Sequence, residues 1–215
     1  MNLDQARFFM VEQQIRPWDV LDPKVLDLLM DTPRHLYVAE TQQKLAYSDI
    51  ELPIGEGQVM MAPKVEGKIL QAIDIQENDS VLEIGTGSGY LTALMATFAK
   101  EVTTVEIYKT LQEAAKERLK DFDNINFHIG DASEDWADNR EYDVIVLTGA
   151  VAQIPPAFLS KLRIGGRLAV IHGQSPAMSA DVLTRISERQ YQTESLFETD
   201  IAYLVNSAKS STFTF

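Results

Sequence analysis

The residues able to do chemistry in this sequence gather around one short run and its two sequels. Ser80 to Tyr90 reads SVLEIGTGSGY, with Glu83 ahead of Gly85, Gly87 and Gly89, and with Thr86 and Ser88 between the glycines. Glu106 follows about 20 positions after Gly85, the offset at which a carboxylate can reach the two hydroxyls of a ribose. Gly130, Asp131 and Ala132 close a third run in the same way. Glycines without a Cβ let a ligand approach the backbone, and a helix starting at such a turn offers unpaired N–H groups. The chemistry expected is the binding of a nucleoside-bearing ligand.

The spacing selects among such ligands. A dinucleotide fingerprint, Gly-x-Gly-x-x-Gly, needs a small residue at position 90, where this chain has Tyr90. Glu83 adds a negative charge that would repel a pyrophosphate but tolerate a cation. S-adenosylmethionine, with its sulfonium and ammonium groups, satisfies both conditions, and NAD stands behind it. The candidate cofactor residues are Glu83, Gly85, Thr86, Gly87, Ser88, Gly89, Glu106, Asp131 and Ala132, although Gly-Asp is also an ordinary turn dipeptide.

Elements must exist to position these residues, and apolar periodicity supplies them. Val81, Leu82 and Ile84 suit a strand buried on both faces. Helix patterns at 91–98 and 111–119 alternate with strand patterns at 102–105, 125–129 and 144–147; a helix over 156–162 then leads to a strand over 167–171. This alternation predicts a doubly wound, mostly parallel α/β sheet with helices on both faces. Runs at 182–186, 191–197 and 201–205 read as antiparallel strands at its edge, and 207–215 as a frayed tail.

Ahead of the sheet, an N-terminal helical extension is expected. Residues 3–14 read as a helix stopping before Pro17, and a second helix has Asp22 as N-cap, Pro23 at its first position and Pro33 at its end. A third helix spans 63–72. Residues 35–58, with Pro53, Gly55 and Gly57, form a long irregular segment with room for one short strand, and such segments are often functional. One domain is expected, with a helical and loop region at 1–78, a cofactor core at 79–173 and C-terminal strands and tail at 174–215.

Bulk properties narrow the function classes. The chain has 215 residues, 45% of them hydrophobic and 24% charged, an ordinary globular balance. A formal net charge of -13 disfavours nucleic acid as a partner. There are no cysteines, and His35, His128 and His172 lack paired ligand spacing, so no metal site is expected. The apolar run near the N-terminus, 8–11, is short, and no stretch approaches the ~18 apolar residues of a membrane span. A cytoplasmic protein is expected, without membrane or nucleic-acid partners.

Over roughly residues 10–173 the chain resembles the protein-L-isoaspartate O-methyltransferase family. The resemblance rests on MVEQQIR at 10–16, Pro33-Arg34-His35, AYSD at 46–49, LPIGEGQ at 52–58, the glycine turn, DVIVLT at 143–148, IPP at 154–156 and GGR at 165–167. It implies a Rossmann-like class I methyltransferase fold, with Glu83 and the three glycines around the methionine part of S-adenosylmethionine, Glu106 at the ribose and Asp131 at the adenine. It implies a substrate loop before Gln58 and, as partner, a protein or peptide carrying isoaspartyl residues.

The departures fall in the substrate half. Where the family continues Thr-Ile-Ser-Ala-Pro-His, with a functionally important Ser, this chain reads Val59-Met60-Met61-Ala62-Pro63-Lys64. Met61 thus occupies the Ser position, so no catalytic residue is assigned. Glu66 replaces a further His, and a Val-x-Phe-Val-Pro motif is replaced around Tyr203-Leu204-Val205. Gln58, Val59, Met61 and Lys64 are the candidate substrate residues, with Lys64 read as a point charge for an acidic acceptor. Repair-type carboxylate methylation, methylation of another acceptor and cofactor binding without turnover all remain open.

Overall fold

The structure is a computed structural model that describes residues 2–207. Asn2 caps α1 (Leu3–Phe9), accepting from the backbone N–H groups of Asp4 and Gln5. The helix expected over 3–14 then changes geometry, becoming a π-helical turn at Met10–Ile15 and a 3-10 turn at Arg16–Trp18 that takes in Pro17. A wider turn suits Met10 and Ile15, which lie five residues apart and are both fully buried. α2 (Pro23–Asp31) begins as expected, with the Asp22 side chain accepting from the Lys24 N–H.

The segment read as irregular holds more order than expected. Two 3-10 turns, Arg34–Tyr37 and Glu40–Leu45, precede an antiparallel hairpin of β1 (Leu52–Gly55) and β2 (Gln58–Met60). The strands have only four and three residues, too short to register as periodicity. α3 (Pro63–Ile73) follows, with Pro at its first position.

The alternating region builds the sheet: β3 (Ser80–Ile84), α4 (Tyr90–Phe98), β4 (Glu101–Glu106), α5 (Lys109–Arg118), β5 (Ile125–Ile129), β6 (Tyr142–Leu147), α6 (Pro156–Ser160), β7 (Leu162–Gln174), β8 (Ala177–Ser187) and β9 (Gln190–Thr199). Strand order is β5-β4-β3-β6-β7-β8-β9, parallel through β7 and antiparallel for the last two. The chain winds outward from β3 to β5 and returns on the other side as β6, which opens a crevice at the C-terminal ends of β3 and β6.

Period-two alternation assigns each side chain of β3 to a layer. Val81 joins the core packed under the N-terminal helices, α3 and α4, whereas Leu82 and Ile84 join the opposite layer with Val105, Ile145, Leu147 and Phe158. Burying one such side chain stabilises the fold by roughly 1.5–3 kcal/mol. Among the described residues, no helix is long and apolar enough to cross a membrane.

Two late assignments are corrected. α6 stops at Ser160, because Leu162 is fully buried and already pairs with Tyr142 as part of β7. Residues 201–205 form no strand. Their backbone bonds instead to Ala150, which donates to the Ala202 carbonyl at 2.9 Å and accepts from the Leu204 N–H at 2.8 Å. This diverts the segment from the sheet edge to the crevice. Of the expected tail, Ser207 bonds through its N–H and its hydroxyl to the Leu204 carbonyl; residues 208–215 lie outside the described residues.

Candidate functional site

A solvent-open cleft of about 750 Å³ lies at the crevice, floored by Ile84, Gly85 and Gly87 and flanked by the ends of β4, β5 and β6. Gly85 has φ +98, and a Cβ there would stand 2.2 Å from Thr148 Oγ1. Thr148 uses that hydroxyl to donate to the carbonyls of Ile84 at 2.9 Å and Gly85 at 2.8 Å, locking the turn to the end of β6. Gly89, at φ +83, caps α4, and a Cβ there would meet Leu119 at 2.9 Å. Two of the three glycines are therefore required by protein packing, whatever the ligand.

Glu106, only 5% exposed, ends β4 at the cleft wall. Its Oε2 accepts from the Gly87 N–H at 2.9 Å and its Oε1 from the Tyr108 N–H at 3.0 Å. Each oxygen is thus oriented by backbone and retains a lone pair for a further donor. Asp131 and Ala132 also line the cleft. Asp131 Oδ1 accepts from the Ser133 N–H at 3.0 Å and Oδ2 from Asn206 Nδ2 at 2.8 Å. The Ser133 N–H chiefly, with help from Asn206, holds this carboxyl below its usual range.

Glu83 sits elsewhere. It shares the parity of Val81, so its side chain enters the layer beneath α4, fully buried and away from the cleft lining. Thr92 Oγ1 and Thr104 Oγ1 both donate to its Oε2 at 2.6 Å. Thr86 Oγ1 lies 2.7 Å from Thr104 Oγ1 and, since Thr104 donates to Glu83, is the donor of that pair. Burial pushes the Glu83 carboxyl up to about 8 against these hydroxyls. At neutral pH it is mostly protonated, so the charge expected to turn away a pyrophosphate does not come from Glu83. It comes from Glu51, Glu106 and Asp131, since no lysine or arginine lines the cleft among the described residues.

Thr86, Ser88 and Gly89 also stand behind the turn. Ser88 Oγ accepts from the Tyr90 N–H at 3.2 Å and its carbonyl from Arg118 at 3.0 Å. These residues shape the loop.

Of the expected substrate residues, Gln58, Val59 and Met61 line the cleft and Lys64 does not. Lys64 Nζ pairs with Asp49 Oδ2 at 2.7 Å and stands 4.2 Å from the centroid of the Trp18 ring. Its charge is already engaged, which removes the basis for reading it as a free cation. Met61 is 7% exposed, and its carbonyl accepts from Arg34 Nη2 at 2.5 Å. Arg34 is also ion-paired with Glu66; burial pushes the Glu66 carboxyl upward, against the pull of that guanidinium.

Some of the site escaped the sequence reading. Thr148 and Gly149 lie at the end of β6 where the switch-point rule would have sought them. Ile54 of the hairpin, Leu111 of α5 and residues 201–205 complete the walls; their approach is long-range and left no local signal.

A mostly parallel sheet with its switch point at β3 and β6, a glycine turn after the first of these and carboxylates at the ends of β4 and β5 define a class I S-adenosylmethionine-dependent methyltransferase. Comparison with known proteins narrows the class. The family described as protein-L-isoaspartate(D-aspartate) O-methyltransferase (PCMT) matches residues 7–208. A protein-L-isoaspartate O-methyltransferase of Petrotoga mobilis is 36% identical over 197 residues, covering 90% of this chain and 92% of its own length. A second, of Geotalea uraniireducens, is 35% identical with 96% coverage of both. In structure, a Plasmodium falciparum protein described as a beta-aspartate methyltransferase, solved with S-adenosyl-L-homocysteine, aligns with a TM-score of 0.79 over 95% of this chain and 98% of its own, at 18% identity. This chain belongs to the protein-L-isoaspartate(D-aspartate) O-methyltransferase family.

Proposed function

We propose that this protein methylates the side-chain carboxylate of isoaspartyl residues in damaged proteins, with S-adenosylmethionine as methyl donor. One observation carries the reading: a single cleft joins the glycine turn and Glu106 on one side to Gln58, Val59 and Met61 on the other. A donor held by the first set faces an acceptor held by the second. The family match over residues 7–208 supports the choice of acceptor.

The cofactor half fits its ligand on the chemistry of its donors. The backbone at Gly85 and Gly87 leaves room for the methionine portion, the two oriented oxygens of Glu106 suit vicinal ribose hydroxyls, and Asp131 and Ala132 lie where the adenine would rest. Glu83, Thr86, Ser88 and Gly89 support the turn from behind. When bound, S-adenosylmethionine supplies a methyl group activated by its sulfonium.

The acceptor side needs little proton chemistry. A carboxylate with a pKa near ~4 is ionised at neutral pH, so no side chain has to remove a proton. What remains is alignment and exclusion of water, and orientation can contribute up to about 7–11 kcal/mol. Met61, Ile54 and Leu204 give the cleft apolar walls suited to that task. Met61 supplies no hydroxyl to the acceptor, which leaves more of the alignment to the walls.

The test is transfer of labelled methyl from S-adenosylmethionine to an isoaspartyl peptide, followed by mild base. Label that is incorporated and then released as methanol identifies a methyl ester. Base-stable label, or none in protein that binds the cofactor, rejects carboxylate methylation.

A further inference from the structure

Arg34 heads the fully buried side chains ranked by size, at 0% exposure. A buried guanidinium persists only where fixed partners replace its water, and its planar fork can serve acceptors on different elements at once. Arg34 does so from the 3-10 turn at Arg34–Tyr37. Its Nη1 is ion-paired with Glu66 of α3, and its Nη2 donates to the Met61 carbonyl at 2.5 Å. Its Cζ stands 4.9 Å from the centroid of the Tyr90 ring.

These contacts join the two halves of the cleft. Met61 lies between the end of β2 and the start of α3, so holding its carbonyl fixes the peptide plane that directs the acceptor wall. Tyr90 is the first residue of α4, directly after the glycine turn. Glu66 lends Arg34 a counter-charge from α3, and Tyr90 an aromatic face from α4.

We propose that Arg34, with Glu66 as its counter-ion, is the positioning residue that sets the acceptor wall at Met61 against the cofactor turn. Neither side chain lines the cleft; both act through Met61 and Tyr90. The proposal rests on the methyl-transfer reading of the cleft.

The test uses Glu66→Gln, which keeps the volume and one acceptor but removes the charge, and the double variant Arg34→Met/Glu66→Leu, which removes the pair together. Replacing a buried ion pair by apolar residues of similar volume is commonly neutral for stability, so the double variant separates folding from positioning. Ile69→Ala, a cavity in the same helix, is the control for destabilisation alone.

Measured below all unfolding transitions, both pair variants are expected to lose at least ~10-fold in kcat for an isoaspartyl peptide, a loss of alignment, with the Kd for S-adenosyl-L-homocysteine within ~3-fold of wild type. Ile69→Ala keeps kcat within ~2-fold. Wild-type kcat in a folded double variant, or an equal loss in Ile69→Ala, overturns the proposal. If wild type itself labels no isoaspartyl peptide, the methyl-transfer reading has failed instead.

Discussion

Glu106→Gln is the most informative single change in the cofactor half. The carboxylate accepts from two backbone N–H groups, Gly87 on Oε2 and Tyr108 on Oε1. A glutamine has one acceptor oxygen, so its amide N–H₂ must face one of these donors, leaving a nearly buried N–H unsatisfied at about 1–3 kcal/mol. That loss appears in stability. Hydrogen bonds from ribose hydroxyls to a charged acceptor are worth about 1.5–3 kcal/mol, so cofactor Kd should rise roughly 10- to 150-fold. Isothermal titration calorimetry with S-adenosylmethionine and with S-adenosyl-L-homocysteine provides the assay. The two share a ribose and differ in the sulfonium charge, so both should weaken by the same factor. A change below ~3-fold would refute the ribose role. A loss confined to S-adenosylmethionine would show that Glu106 acts through the sulfonium charge.

Three further outcomes are expected. Lys64→Ala should leave the KM for an isoaspartyl peptide unchanged and lower Tm by about 2–4 °C, the effect of roughly 1 kcal/mol from a partly buried ion pair and ring contact; a KM rise beyond ~5-fold would restore Lys64 as a substrate cation. Met61→Ser should keep cofactor Kd and raise kcat/KM for the same peptide about tenfold, the worth of one hydrogen bond to a charged acceptor near 1.5 kcal/mol. An unchanged value would show that the acceptor uses the apolar wall. Glu83 is raised from an ordinary 4.5 to about 8, so between those values the unfolded chain ionises while the folded chain keeps its proton. Its contribution to stability therefore falls as pH rises from about 5 to 8 and is flat above. Thermal melts of Glu83→Gln should lose that part of the slope and exceed wild type at pH 8, and a steeper decline in the variant would contradict the burial argument.

The side of the cleft built on the glycine turn was legible because its determinants are local. Val81, Leu82 and Ile84 mark a strand, the glycines follow at once, and Glu106 falls one strand later, so chain order alone nearly assembles the site. The parity of β3 also bears on Glu83: Val81 and Glu83 must share a face, which places Glu83 beneath α4 rather than in the cleft. The acceptor half was legible only in part: Gln58, Val59 and Met61 reach the cleft as expected, but the residues that hold them in place are distant in the chain. Arg34 meets Met61 and Glu66 across separations of 27 and 32 residues, and Lys64 is neutralised by Asp49 and Trp18, which no periodicity connects. Residues 201–205 carry strand-like side chains, yet Ala150 and the cleft decide their path. The π-helical turn at Met10–Ile15 likewise follows from burial against the core, which a helical repeat of 3.6 does not anticipate.

The most direct measurement compares labelled methyl transfer to two peptides of one sequence, differing only in whether a single residue is isoaspartyl or aspartyl. Isoaspartyl chemistry predicts kcat/KM at least ~100-fold higher for the isoaspartyl peptide, because an acceptor site aligned for one carboxylate geometry loses orientation with the other. Equal labelling of both peptides, or labelling of neither by protein that binds S-adenosyl-L-homocysteine, would contradict the account.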